Sequence, residues 1–295
     1  MNKITVEETL GAKDLPSDIL PALLYRELLI GIYKRVPFLD GAEIDRSLIG
    51  SVGTEIQIPY WSSRFSTNTI SETSLDTSGY SLIDPSVTNY TLTIGDQIYV
   101  AWRLTDILKE DQPKYNWVQL TLRDAGRAIA ESIDQAVRDV LIAGAGNSKA
   151  ATVAGTLDYD DVINLLGDMK ADGFFPDDVS PFLYIHPSQE SDLLKDSTFT
   201  TTTRYATGSL PELQKPPERL YAGCRVRVTD DMVQALALIV FPKGKAGPTF
   251  IHALKRPLTV KTEREEFYGR QIYIASERYG DAIVGANGIG LITNA

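Results

Sequence analysis

Cysteine occurs once in this chain of 295 residues, and histidine twice. A single thiol, Cys224, excludes an internal disulfide and a cysteine-rich metal site. It stands in Gly223-Cys224-Arg225-Val226, a strand-like context where a small buried residue is the expected role. No apolar run approaches the roughly 18 residues needed to span a bilayer. Residues 1–10 lack a basic segment followed by an apolar one, so no secretory signal is expected. Cations are in deficit too: 29 Lys and Arg against 39 Asp and Glu leave a net charge of −10. That argues against a nucleic-acid reader, which needs clustered Lys and Arg to meet phosphates. It fits a protein that sits beside nucleic acid without sticking to it, and equally fits ordinary solubility. Lysine is missing altogether between Lys34 and Lys109.

What remains is enough for a substantial core, since 43% of the residues are hydrophobic. The chain is organised around the stretch from Tyr115 to Ala143. At 3.6 residues per turn it places Trp117, Leu120, Thr121, Ala125, Ala128, Ile129, Ile133, Ala136, Val137, Val140 and Leu141 on one stripe. Arg123, Asp124, Arg127, Glu131, Asp134, Arg138 and Asp139 fall on the other side, with Arg127–Glu131 and Asp134–Arg138 as expected ion pairs. Pro113 and Asn116 mark the start, Gly144 and Gly146 the stop. A helix of roughly 28 residues is about 42 Å long, against a usual length of about 11 to 12 residues.

Before this helix, residues 1–20 read as a polar arm without a core of its own, and Ser17 to Tyr33 as a helix. Two strand-like runs follow: Glu55 to Tyr60, and a return run in which Tyr90, Leu92, Ile94, Ile98, Val100 and Trp102 hold even positions. Between them Ser62 to Ser86 is rich in Ser and Thr. Such a ribbon cannot supply a core, and isolated ribbons are marginally stable in water. It is either a disordered insertion or it lies on another subunit, and its periodic apolar residues favour the second. After the long helix come a helix from Tyr159 to Lys170 capped by Asp158, a strand Phe182 to Ile185, and a helix opened by His186-Pro187. The remaining expected strands are Arg219 to Thr229, Ala235 to Phe241, Thr249 to His252, Leu258 to Thr262, Gln271 to Ser276 and Ala282 to Val284.

Groups with chemical potential are sparse. His186 and His252 fall in strand-like stretches, and no serine or cysteine motif accompanies them, so both read as structural. Gly144-Ala145-Gly146-Asn147-Ser148-Lys149 lacks the spacing of a phosphate loop and follows a helix, which makes it a helix stop. Gly285 to Gly290 is a glycine turn with no helix after it to bind a dinucleotide. Asp158, Asp160 and Asp161 suggest a cation site, but acidic residues also cap a helix N-terminus, and capping is the better reading.

Leu183-Tyr184-Ile185-His186-Pro187, then Leu193-Leu194-Lys195-Asp196, then Gly223-Cys224-Arg225-Val226-Arg227-Val228-Thr229 follow one another in an order and spacing similar to the major capsid proteins of tailed double-stranded DNA viruses. The chain from Pro21 onward resembles that family, whose α+β fold is the Hong Kong 97 bacteriophage type shared with encapsulins. The resemblance implies an N-terminal arm and first helix at 1–53, an extended β-hairpin loop at 54–103 that reaches over a neighbour, and a peripheral domain with a spine helix at 104–156. An axial domain at 157–241 and returning peripheral strands at 242–295 complete the layout.

Implied with it are a structural, noncatalytic protein without cofactor or metal, and an icosahedral shell of hexamers and pentamers around viral double-stranded DNA. Location in the virion after assembly in the host cytoplasm is implied as well. So are a portal protein and, beyond that, separate scaffolding or decoration proteins, with no membrane. Some relatives weld their shells through a lysine of the extended loop; this chain has none there, so a noncovalent shell is expected. Aromatics and Arg are the usual interface anchors. Trp61, Arg64, Phe65, Glu72, Asp76 and Tyr80 in the ribbon, and Glu263, Arg264, Glu265, Glu266 and Arg270 in a charged turn, are therefore the candidate contacts between subunits. The turn reads equally as a solvated loop. Two other functions stay open at this point: an encapsulin-type compartment for a cargo enzyme, and a soluble α/β enzyme with an acidic metal site near Asp158.

Overall fold

The computed structural model describes residues 36–61, 87–95, 97–111, 116–175, 179–195, 220–244 and 247–294. The expected helix Ser17 to Tyr33 lies outside them. In chain order, a 3-10 turn (Pro37–Gly41) leads to β1 (Glu43–Asp45), β2 (Glu55–Trp61), β3 (Val87–Thr93) and β4 (Gln97–Thr105). The helices α1 (Asp106–Asp111) and α2 (Trp117–Ala143), β5 (Asn147–Ala150), α3 (Tyr159–Ala171), β6 (Phe182–Ile185) and α4 (Pro187–Lys195) come next. Then follow β7 (Leu220–Tyr221), β8 (Cys224–Val228), β9 (Leu236–Val240), β10 (Lys243–Gly244), β11 (Gly247–Pro248), β12 (Phe250–Glu265), β13 (Arg270–Ile283) and β14 (Ile289–Thr293).

Helix α2 begins where Asn116 accepts the backbone N–H of Gln119 on its side chain (3.2 Å), and it ends at Gly144. A Cβ at Gly144 would lie 2.0 Å from the Cδ1 of Ile283, so a larger residue there would have to displace that side chain where β13 passes the helix end. The buried stripe is Leu122, Ala125, Gly126, Ile129, Ala130, Ile133, Asp134, Val137 and Leu141. It is rotated from the expected one: Leu120 and Ala128 are exposed, whereas Leu122 and Ala130 are inside. The expected Asp134–Arg138 pair does not form. Asp134 is fully buried and accepts the backbone N–H of Phe38 (3.1 Å), while Arg138 pairs with Asp139 and donates to the carbonyl of Asp231. Arg127 meets Asp124 at 4.0 Å, an exposed contact of little energetic weight.

Two sheets flank this helix. The four-stranded sheet has the order β1-β12-β13-β4 and the six-stranded sheet the order β5-β14-β9-β6-β8-β7. In β6 all four side chains are buried. Phe182 and Tyr184 turn toward α2, and Leu183 and Ile185 toward α3 and α4, as alternation in a strand covered on both faces requires. One core thus joins α2 to both sheets through Phe38, Ile129, Val137, Tyr184, Leu238, Val240 and Tyr273. A second lies beneath α3, with Leu165, Met169, Ile239 and Cys224; burial pushes the Cys224 thiol up to about 12, so it is inert packing.

Several expected boundaries move. The run from Tyr90 to Trp102 is two strands. β3 pairs with β2, then the chain turns at Gly95, whose N–H donates to the carbonyl of Tyr279 (3.0 Å), and β4 pairs with β13. Gln97 to Arg103, inside the expected loop 54–103, therefore belongs to the four-stranded sheet. The four strands expected between Thr249 and Val284 are two, β12 and β13, because the apolar period is broken by a bulge around Arg256 and not by a chain reversal. β14 and β5 join the six-stranded sheet, so that sheet draws on residues on both sides of the expected span 157–241. The foot of the β2–β3 ribbon packs on its own subunit: Ile56, Ile58, Tyr90 and Leu92 cover Ile251, Ala253 and Val284.

Candidate subunit interface

The charged turn is the end of the β12–β13 hairpin. A short 3-10 turn, Glu266 to Tyr268, is closed by Gly269 in the left-handed region (φ 52°), where glycine carries no steric penalty. Glu263, Arg264 and Glu265 end β12 and Arg270 opens β13. Arg264 grips Asp106 with both guanidinium ends (3.1 and 2.8 Å) and reaches Glu266 through Nε (2.9 Å). These bonds hold its protonated form even more firmly than usual. Arg270 pairs with Glu265 and lies over the ring of Tyr268, 4.5 Å from its centroid. The backbone N–H of Asp106 donates to the carbonyl of Gly269 (2.9 Å), tying α1 to the tip.

This network fixes a tip that presents large apolar groups to solvent. Phe267 is 92% exposed, Tyr268 62%, and Ile107 of the adjoining α1 70%. Phe267 and Tyr268 meet edge to face, with centroids 5.1 Å apart. Scattered apolar residues on a surface mean little. A rigid tip with two aromatics and a leucine-sized neighbour has the composition of an interface anchor. The structure brings together Arg264, Glu265, Glu266 and Arg270, and leaves Glu263 exposed one residue before Arg264. Phe267, Tyr268, Asp106 and Ile107 are not among the contacts expected from the sequence. The aromatic pair enclosed by Glu266 and Arg270 was the available signal.

In the ribbon, Trp61 closes β2 opposite Val87. Arg64, Phe65, Glu72, Asp76 and Tyr80 lie outside the described residues. The outer face of the ribbon foot, with Glu55, Gln57, Pro59, Asn89 and Thr91, is polar and exposed.

The groups considered for chemistry are held by structure. His186 is not in a strand; it caps α4, its Nδ1 accepting from the backbone N–H of Ser188 (3.2 Å) and its backbone N–H donating to the Oε1 of Gln189 (3.0 Å). His252 is buried in β12, 2.7 Å from Asp281, with Tyr279 packed on its ring. Glu277, buried nearby, has its carboxyl pushed up by desolvation and drawn partly back by His252. Asp158 and Asp161 form a capping box, and Asp161 also accepts from the N–H and hydroxyl of Thr152 (2.9 and 2.6 Å). Among the described residues no three ligating side chains converge as a metal site.

No curated protein matches the chain. Among solved structures it resembles the capsid of the cyanophage P-SCSP1u, with a TM-score of 0.66 and 13% identity over 89% of each chain. It also resembles a protein of Mycobacterium phage Che8, with a TM-score of 0.63 and 18% identity over 88% of this chain and 92% of that one. A virus-like particle from Pyrococcus furiosus shares the fold at a TM-score of 0.58 and 13% identity, covering 92% of this chain and 99% of that one. At such identities the likeness establishes the fold, the Hong Kong 97 bacteriophage type. The profile of the family described as "Phage capsid protein" matches residues 98–294, from β4 through the last strand. With well over half its length matched by that profile, the chain belongs to the phage capsid protein family.

Proposed function

We propose that this chain is the shell-forming subunit of a tailed phage, assembling with copies of itself into hexamers and pentamers of an icosahedral shell around double-stranded DNA. A capsid protein works in the virion shell, and its first partner is another copy of itself. The observation that carries the reading is the hairpin tip, where Arg264, Asp106, Glu266 and Arg270 hold Phe267 and Tyr268 out in solvent. Holding aromatics exposed in a fixed geometry has no use within one subunit and suits a contact with the next. The ribbon supports it: its foot is anchored, and its polar continuation 62–86 has the composition of a segment ordered by a neighbour. Obligate interfaces of this kind bury roughly 2,000 Å² or more.

Assembly in the host cytoplasm, filling through a portal protein, and the use of a separate scaffold or decoration protein follow from the same reading. The peripheral unit is then the four-stranded sheet with α2, and the axial unit the six-stranded sheet with α3 and α4. Electron microscopy of the purified protein across a concentration series tests it. Closed shells are expected above a threshold concentration. Discrete monomers at every concentration would overturn it.

A further inference from the structure

At the foot of the ribbon lies a cleft of about 310 Å³ lined by Ile49, Gly50, Ser51, Lys255, Arg256, Pro257 and Arg278. Three cations meet there. Arg256 and Arg278 are direct cross-strand partners of β12 and β13, an arrangement of like charges that destabilises a sheet. The bulge in β12 adds Lys255 to the same cleft. Among the described residues the hydrogen bonds of all three go to neutral oxygens: Lys255 to the carbonyl of Ser51, Arg256 to Gln97 (3.0 Å), and Arg278 to the carbonyl of Gly95 (3.0 Å). No described carboxylate pairs with any of them. Asp45, at the end of the neighbouring strand β1, turns back on Ser47 (2.8 and 3.1 Å). A chain with ten more acids than bases thus gathers three cations at one point with no carboxylate partner among the described residues. A local electrostatic cost kept in this way is characteristic of a binding site.

We propose that this cleft receives carboxylates from the ribbon segment 62–86 of a second copy of the chain. The inference rests on the self-assembly reading above and names its receiving site. Segment 62–86 contains Glu72, Asp76 and Asp84 against the single cation Arg64, so its charge is opposite to that of the cleft. To reach the cleft, the segment of the same copy would have to fold back along its own ribbon. Seven paired residues in each arm carry it roughly 23 Å from the ribbon foot at about 3.3 Å per residue. In a shell, copies of this acidic ribbon are the carboxylates at highest local concentration, and two Arg with one Lys offer many donors to them.

Neutralising the pair with Arg256→Gln and Arg278→Gln separates docking from a structural role. Removal of cross-strand repulsion leaves the thermal melt of the unassembled subunit unchanged or raised, while the threshold concentration for shells rises about tenfold or more. Glu72→Gln with Asp76→Gln gives the same rise. A melt lowered by the Arg changes with an unchanged threshold, or normal assembly of the ribbon variant, overturns the inference but leaves the capsid reading intact. Wild-type protein that never assembles overturns both. A second measurement places the partner. Chains carrying only Arg278→Cys are mixed with chains carrying only Asp76→Cys, assembled and mildly oxidised, and a disulfide-linked dimer is expected. A crosslink that forms only when one chain bears both cysteines overturns the second-copy assignment. Displacement of the ribbon by millimolar inorganic phosphate, with no effect of the ribbon variant, would make this a phosphate site and overturn the inference as well.

Discussion

Asp134, in the middle of the long helix, accepts the backbone N–H of Phe38 at 3.1 Å across 96 residues of sequence. This bond locks the 3-10 turn, with the ring of Phe38 against Tyr184 (4.7 Å), onto the spine of the subunit. Burial raises the Asp134 carboxyl from 3.8 to about 7, and Asp231 and Asp40 add to the rise while the Phe38 N–H and Arg138 oppose it. Its second oxygen is buried without a described partner.

The pH dependence follows from that direction. Between pH 4 and 7 the folded chain binds a proton that the unfolded chain has released, so the contribution of this group to stability falls as pH rises, then levels off above about 7. A rise from 3.8 to about 7 corresponds to at most about 4 kcal/mol. Asp134→Asn keeps an acceptor for Phe38 and removes the charge. Urea denaturation of the unassembled subunit at pH 8 should therefore show a gain for the variant, with the gain absent at pH 4. Asp134→Ala strands the N–H and costs about 1–3 kcal/mol at low pH. A variant Asn destabilised at pH 8 would refute the ionisation argument.

Phe267 separates folding from assembly. It is 92% exposed and touches its own subunit through the edge of Tyr268, so Phe267→Asp should leave the melt of the monomer within about 0.5 kcal/mol of the parent. The same change should abolish shells or raise the threshold concentration at least tenfold, because central aromatics carry about 2 kcal/mol or more of an interface. Arg264→Ala should give a weaker version, since it loosens the tip without removing the anchor. Light scattering against concentration reads both. Undiminished assembly of Phe267→Asp would remove the tip from the interface.

Gly280 lets the ribbon leave the sheet. A Cβ there would sit 2.6 Å from the carbonyl oxygen of Thr93 and 2.9 Å from the Cα of Ile94, both backbone atoms that no rotamer change can move. Gly280→Ala should cost about 1–3 kcal/mol and displace the ribbon foot, so that monomer stability and assembly fall together. That coupling distinguishes it from Phe267→Asp.

What the sequence disclosed follows the range of the interactions involved. The helix was legible because its apolar period and its cap at Asn116 are local. The burial of Asp134 was not, because its partner is 96 residues away. Tyr90 to Trp102 keeps one alternation through Gly95 and so reads as a single strand, although its halves pair in different sheets. The reverse error arose at Lys255-Arg256-Pro257, where a polar interruption looked like a strand end and is a bulge within β12. Placing β14 between β5 and β9 is a tertiary choice with no local mark. At the tip the run of charge is the local mark, yet Glu266 and Arg270 are bound within the subunit and leave Phe267 and Tyr268 to face outward.

The absence of lysine between positions 34 and 109 bears on how a shell of this chain is held. An isopeptide weld joins an amine on one side to a carboxyl or carboxamide on the other, and neither the ribbon strands nor the segment 62–86 supplies the amine. A ribbon without an amine is expected to hold its neighbour by apolar, hydrogen-bonded and ionic contacts. Ionic contacts weaken with salt as the screening length falls from about 10 Å at 0.1 M to about 3 Å at 1 M. Particles boiled in SDS should run as a single monomer band, and the threshold concentration for assembly should rise between 0.1 and 1 M salt. A ladder of multimers after boiling would mean that another nucleophile welds the shell, and a threshold indifferent to salt would leave the hairpin tip, not the ribbon charges, as the dominant contact.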